Sequence, residues 1–133
     1  MTDSAFTKAA SVPMLQTLGI KLVESSDEHA VMEVVVEEKH ANFFGGAHGG
    51  LLATLADTAC FFSQPLIPAG KTVATVNLNL NYMRPANMGD RLRARAEIVR
   101  LGQQTANLDI RITNDAGKEL VQGTAVLMIA ADK

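Results

Sequence analysis

Asn42-Phe43-Phe44-Gly45-Gly46-Ala47-His48-Gly49-Gly50 runs directly into Leu51-Leu52-Ala53-Thr54-Leu55-Ala56-Asp57-Thr58-Ala59-Cys60-Phe61-Phe62. The first stretch is a glycine-rich turn, and the second reads as an almost wholly apolar helix that the turn opens. No face of that helix is polar enough for water, so the pattern predicts a helix buried on most sides. Its one carboxylate is Asp57, and no Lys or Arg occurs between His48 and Gly70. A carboxylate among apolar residues is costly unless it is hydrogen-bonded or used, which makes Asp57 the first candidate for chemistry.

On the N-terminal side, residues 1–11 are small and polar and read as a ragged start. Residues 12–18 form a short helix with Pro13 in its first turn and Gly19 at its end. Two strands follow over 20–23 and 30–38, favoured by the β-branched Val34, Val35 and Val36. On the C-terminal side, Pro65 ends the long helix near Gln64. Past Pro68-Ala69-Gly70 the pattern switches to period two over 73–83, with Ala74, Val76, Leu78, Leu80 and Tyr82 on one face. Further strands run over 91–101, with Leu92, Ala94, Ala96 and Ile98 inward, around Leu108, Ile110 and Ile112, and over 120–130. Gly102 and Asp115-Ala116-Gly117 mark the turns between these last strands. Two strands, a buried helix and four strands joined by short turns make one α+β domain over residues 1–133, an antiparallel sheet wrapped around the helix.

Composition narrows the function. A chain of 133 residues with 47% hydrophobic and 20% charged residues buries a core without staples. A formal charge of -2 makes nucleic-acid binding a poor expectation. The apolar run is too short to span a bilayer, and no targeting segment is visible, so a cytoplasmic protein is expected. A single cysteine, Cys60, permits no intrachain disulfide and reads as a core residue. His29, His40 and His48 lack ligand spacing, so no metal site is expected, and His29 and His40 read as solvated strand-end residues. There is no G-x-S-x-G. Gly70-Lys71-Thr72 ends like a P-loop but precedes a strand and lacks the first glycine. Arg91, Arg93 and Arg95 alternate on one strand face, which reads as solvated.

At the helix start, the N–H groups beside Gly49 and Gly50 are free to meet an oxyanion, or the glycines simply make a tight turn. Asp57 is either a base or a structural carboxylate bonded to a neighbouring hydroxyl, and His48 either caps the helix or touches substrate. Gly49 and Asp57 are eight residues apart, about 12 Å along one helix. They cannot reach one carbonyl from the same chain, so a site using both needs two subunits.

The pattern Asn42-x5-His48-Gly49-Gly50-x6-Asp57, followed by Thr75 and Tyr82-Met83-Arg84-Pro85-Ala86, resembles the hotdog-fold acyl-CoA thioesterases. More narrowly it is similar to the PaaI-like subfamily, which includes phenylacetyl-CoA thioesterases. The resemblance implies a hotdog fold, protomers joined into a continuous sheet as a homodimer, and often a homotetramer. It implies acyl-CoA as substrate, with CoA no separate cofactor. Asp57 would activate water or attack the thioester, and the Gly49 N–H would bind the oxyanion. Asn42 and His48 would orient water or thioester from the opposite chain, and Thr75 would position water near Asp57. The CoA part would run over Tyr82 and the turn carrying Arg100, Gly102 and Gln103. Phe43, Phe44, Phe61 and Phe62 would line an acyl pocket. The alternative is an acyl-CoA binding or sensing module that has lost the base. A hotdog hydratase is a further rival, but it needs a histidine after the helix, and none follows His48.

Overall fold

The computed structural model describes residues 2–67 and 70–131, with the side chains of Thr2 and Asp3 left out. Of the expected Pro68-Ala69-Gly70 turn, the first two residues lie outside the described residues. Gly70 takes the left-handed conformation, φ 76°.

Chain order is α1 (Thr2–Ala10), α2 (Pro13–Leu18), β1 (Lys21–Ser25), β2 (His29–Val35), α3 (Gly49–Ala59), β3 (Lys71–Tyr82), β4 (Arg91–Leu101), β5 (Thr105–Thr113) and β6 (Glu119–Ala131). The sheet order is β1-β2-β4-β5-β6-β3, antiparallel throughout. α3 lies across its concave face, and the core forms between them from Leu51, Leu55, Ala56, Leu92, Ile110 and Leu127. This is the expected α+β hotdog arrangement.

Several elements depart from the sequence reading. The start is a helix rather than ragged chain, because Ala5 and Ala9, one turn apart, pack against the sheet at 0% and 5% exposure. β2 stops at Val35, and Glu38–His40 forms a 3-10 turn instead of strand. α3 ends at Ala59, five residues early, and Pro65 sits in a separate 3-10 turn, Gln64–Leu66. The helix is also not buried on most sides: Ala53, Thr54, Asp57 and Thr58 are half-buried along one flank.

The last four strands are not a simple run of neighbours. β3 pairs with β6, and residues 83–90 cross the end of the sheet before β4 joins β2. That crossing is tied down on both sides. Met83 N–H donates to the Leu120 carbonyl at 2.8 Å, and Gly89 N–H donates to the Val36 carbonyl at 2.9 Å. The Ala86 carbonyl takes the Ala47 N–H at 2.9 Å, which anchors the loop that opens α3.

Period two in β3 is broken by a bulge at Val76, between Thr75 and Asn77. Val73 and Thr75 face the helix before it, and Leu78 and Leu80 face it afterwards, while Val76 is 62% exposed. The expected single face of Ala74, Val76, Leu78, Leu80 and Tyr82 is therefore split.

On the convex face Arg93 pairs with Glu24 at 2.7 Å and Glu33 at 3.3 Å, and Arg91 pairs with Glu33 at 3.5 Å. The arginine row is thus a solvated ion-pair face, worth little individually. His29 and His40 are not free in solvent. His29 bonds Ser26 Oγ and Glu24 at 3.0 Å each, and this histidine bond holds the Glu24 carboxyl below its ordinary range. His40 is 3% exposed.

Candidate active site

The loop over 42–47 is built by one side chain. Asn42 Oδ1 accepts from Phe44 N–H at 2.8 Å and Gly46 N–H at 3.0 Å, and its Nδ2 donates to the Ala47 carbonyl at 3.3 Å. The Asn42 oxygen is therefore fully used by the loop, while its Nδ2 keeps one N–H beyond the bond to Ala47. Gly46 has no Cβ for a reason: one placed there would lie 3.0 Å from the Ala86 carbonyl oxygen.

His48 caps α3. Its Nδ1 accepts from Gly50 N–H at 2.8 Å, and its carbonyl accepts from Leu51 N–H at 2.9 Å. Glycine at 50 makes room for the ring, since a Cβ would stand 2.9 Å from Nδ1. With those two N–H groups taken, the Gly49 N–H is left without an acceptor among the described residues, at the positive end of the helix. Tyr82 Oη donates to the Gly49 carbonyl at 2.8 Å and pins this first residue to β3. Partial burial pushes the Tyr82 hydroxyl above its ordinary pKa.

Asp57 lies two turns along. Thr75 Oγ1 donates to its Oδ1 at 2.7 Å, leaving Oδ2 without a partner among the described residues. The hydroxyl fixes the carboxylate's orientation and leaves one oxygen to hold water. Eight residues at 100° each also turn Asp57 about 80° around the axis from Gly49, besides the rise of about 12 Å. One chain brings Asp57 to Thr75, and Asn42, His48 and Gly49 to one another, but keeps these two groups apart.

The residues expected against CoA are divided. Tyr82 pairs with Val121 at one end of the β3–β6 ladder, whereas Lys71 pairs with Ala131 at the other. Gln103 and Gln104 line a shallow hollow with Lys71 and Met128 at that second end, beyond a strand length of about 36 Å. Gly102 N–H closes this turn on the Thr105 carbonyl at 2.8 Å, and Arg100 lies against it.

The phenylalanines expected to line an acyl pocket differ in exposure, with Phe61 partly buried against the core. Phe43 and Phe44 stand 95% and 89% exposed at the loop tip, edge to face, and Phe62 packs in the core. Cys60 is buried, its Sγ directed at the Ala56 carbonyl, and burial pushes its thiol far above the ordinary range. Among the described residues no group of three or more His, Cys, Asp or Glu is placed to hold a metal ion. No helix is long and apolar enough to cross a membrane among those residues.

Sequence reading missed His40. Its Nδ1 accepts from Glu37 N–H at 2.9 Å, and its Nε2 donates to the Leu18 carbonyl at 2.8 Å. Its own carbonyl takes His48 N–H at 2.7 Å, so it supports the cap from behind. The signal was Glu37 three residues before His40, a capping-box spacing with histidine in the second place.

Comparison with known proteins gives the family. The profile of the thioesterase superfamily matches residues 44–121. The chain is 35% identical over 121 residues to acyl-coenzyme A thioesterase 13 of Homo sapiens, covering 90% of this chain and 85% of that protein. It is 32% identical over 103 residues to the acyl-coenzyme A thioesterase PaaI of Escherichia coli, covering 77% and 72%. The solved structure of the E. coli PaaI protein from the phenylacetic acid degradation operon superposes with a TM-score of 0.85 at 25% identity, over 98% of this chain and 92% of that one.

Proposed function

The chain belongs to the thioesterase superfamily, and we propose that it hydrolyses acyl-CoA thioesters in the cytoplasm at sites shared by two subunits. The observation that carries this reading is the pairing of an unused Gly49 N–H at one end of α3 with the Thr75-held carboxylate of Asp57 further along it. Water held on Asp57 Oδ2 attacks the thioester carbonyl carbon, and Asp57 takes the proton. The oxyanion that forms is met by Gly49 N–H and the helix dipole, and its collapse expels the CoA thiolate. Thiolate leaves readily, so one base and one oxyanion donor suffice without a metal. A direct attack by Asp57 on the carbonyl is the other form of the same chemistry. His48 and Asn42 act here mainly by holding the Gly49 N–H in place, with the His48 ring edge also beside the thioester.

The partner follows from β3. It is a twelve-residue edge strand carrying exposed Asn77, Asn79 and Asn81, and a long open edge is a template for pairing. Gly49 lies beside Tyr82, and Asp57 lies beside Thr75. An antiparallel two-fold pairing of β3 centred near Leu78 and Asn79 sets Thr75 of the partner subunit opposite Tyr82. Asp57 of the partner subunit then comes to Gly49, and the half-buried flank of α3 is covered. The same pairing moves the Arg100, Gly102 and Gln103 turn of the partner subunit toward Tyr82 and Arg84, which reunites the expected CoA contacts. A homodimer is the smallest active unit, and a homotetramer is a dimer of such dimers.

The test is thiol release from a panel of acyl-CoA thioesters by wild type and Asp57→Ala. Wild-type turnover with a loss of about 100-fold or more in the variant is expected for a general base. Tight acyl-CoA binding without thiol release would make the chain a binding or sensing module instead.

A further inference from the structure

We infer that the trough between α2 and the start of α3 receives the acyl chain, and that Met14 and Leu18 set the chain length it accepts. The inference rests on the thioesterase reading above and adds the direction in which the substrate lies.

Two hollows flank the Gly49 N–H. One, of about 280 Å³, is lined by Gly49, Tyr82 and Arg84 beside the apolar Leu52, Met83 and Pro85, so a phenol and a guanidinium stand at a mostly apolar hollow. The other, of about 370 Å³, runs from His48 and Gly50 past Leu51 and Thr54 to Met14 and Leu18, with Lys39 and His40 also on its wall. A thioester carbonyl held at the helix start sends its two substituents in opposite directions. The polar, phosphate-bearing thiol arm suits the first hollow, and the carbon chain suits the second.

Local sequence explains why α2 has an apolar wall to offer. Met14 and Leu18 are four residues apart and share a helix face, while Leu15 turns into the core at 2% exposure. Met14 is left 58% exposed, an apolar side chain that the core does not use. Its unbranched thioether adapts to chains of different length at the open end. The wall is also registered to the oxyanion donor, because His40 bonds the Leu18 carbonyl at 2.8 Å and the His48 N–H at 2.7 Å. Phe43 and Phe44, at the exposed loop tip, offer this chain no such wall.

The experiment measures kcat/KM for butyryl-, octanoyl- and dodecanoyl-CoA with wild type, Met14→Trp and Leu18→Ala. Each methylene held in the trough is expected to raise kcat/KM about fourfold. The readout is the dodecanoyl-to-butyryl ratio, which a general loss of activity does not move. Met14→Trp closes the open end and is expected to lower that ratio at least 10-fold, and Leu18→Ala deepens the trough and is expected to raise it. Ratios within twofold of wild type in both variants would overturn the assignment. A wild type inert on the whole series would instead remove the thioesterase reading. The trough is then judged by calorimetric binding of the same three acyl-CoAs. A chain-length dependence of Kd that Met14→Trp abolishes keeps the trough as the acyl site, and an unchanged dependence overturns it.

Discussion

His40 joins three pieces of the site through one buried ring and its own carbonyl: the end of α2, the turn at Glu37 and the cap at His48. His40→Ala removes a buried ring and the two half-buried bonds it makes with the Glu37 N–H and the Leu18 carbonyl, at a cost of about 0.5–1.5 kcal/mol for each bond lost. His29→Ala removes two bonds of a residue on the sheet's rim, where water replaces them, so its cost is smaller. Urea unfolding of the two variants checks the order, and equal losses would mean that His40 is not a strut. Cys60 gives a pH prediction. Burial raises its folded pKa above the ordinary thiol value, so the folded state holds the proton longer than the unfolded one. Its contribution is fully present below the unfolded thiol pKa of about 8.5 and is lost as pH rises beyond it. A thiol reagent is expected to label Cys60 only as the protein unfolds. The denaturation midpoint of Cys60→Ala should fall less than that of wild type between pH 8 and 10.

At the scale of elements, β3 is the strand that makes the site possible. Uninterrupted alternation from Thr75 would put Asn77 and Asn79 against α3 and turn Leu78 and Leu80 outward. The bulge at Val76 resets the phase, so that Thr75 reaches Asp57 and the leucines still reach the core. Its neighbour β6 accommodates this with Gly123 opposite Leu80, where a Cβ would collide with the Asn79 carbonyl oxygen and lie 2.7 Å from Leu80 Cδ2. Gly123→Ala is therefore expected to cost about 1–3 kcal/mol by overpacking. It should also lower activity, because pushing β3 outward lengthens the Thr75–Asp57 bond. Thermal unfolding and thiol release check the two halves, and a fully stable, fully active variant would mean that the strand pair has slack.

For the molecule as a whole, the proposed site makes the relation between copies the one to test. Asn42→Ala damages the loop end of a shared site and Asp57→Ala the carboxylate end. Mixed chains that exchange freely form heterodimers in half of the population, each with one of two sites intact. About a quarter of wild-type activity is the expected yield of a two-fold interface. Heterodimers demonstrated by mass but without activity would rule out a site assembled across the interface. The crossing of residues 83–90 is what leaves β3 at the edge for this purpose. Had β3 paired with β4 as its sequence neighbour, its outer edge would be covered and Tyr82 would not stand beside Gly49.

The sequence by itself determined most of the elements, though not α1 or the ends of β2 and α3, and it named the candidate residues. Apolar patterning marked α3, period two marked β4 to β6, and Gly19 and Pro13 bounded α2, because backbone sterics and side-chain alternation act over a few residues. The same local reading singled out Asp57 and Gly49 as candidates and, from their spacing on one helix, implied that a site using both takes a second chain. Only the tertiary structure decided which partners these residues have. That Asn42 serves its own loop, that His48 leaves the Gly49 N–H unclaimed, and that Thr75 holds Asp57 depend on contacts across 2 to 18 residues of sequence separation. The Val76 bulge, the place of β3 beside β6 and the bond from His40 to the Leu18 carbonyl were illegible for the same reason. Each is a choice between hydrogen-bond partners of equal local merit, and only the packed sheet and helix make one of them cheaper than the rest.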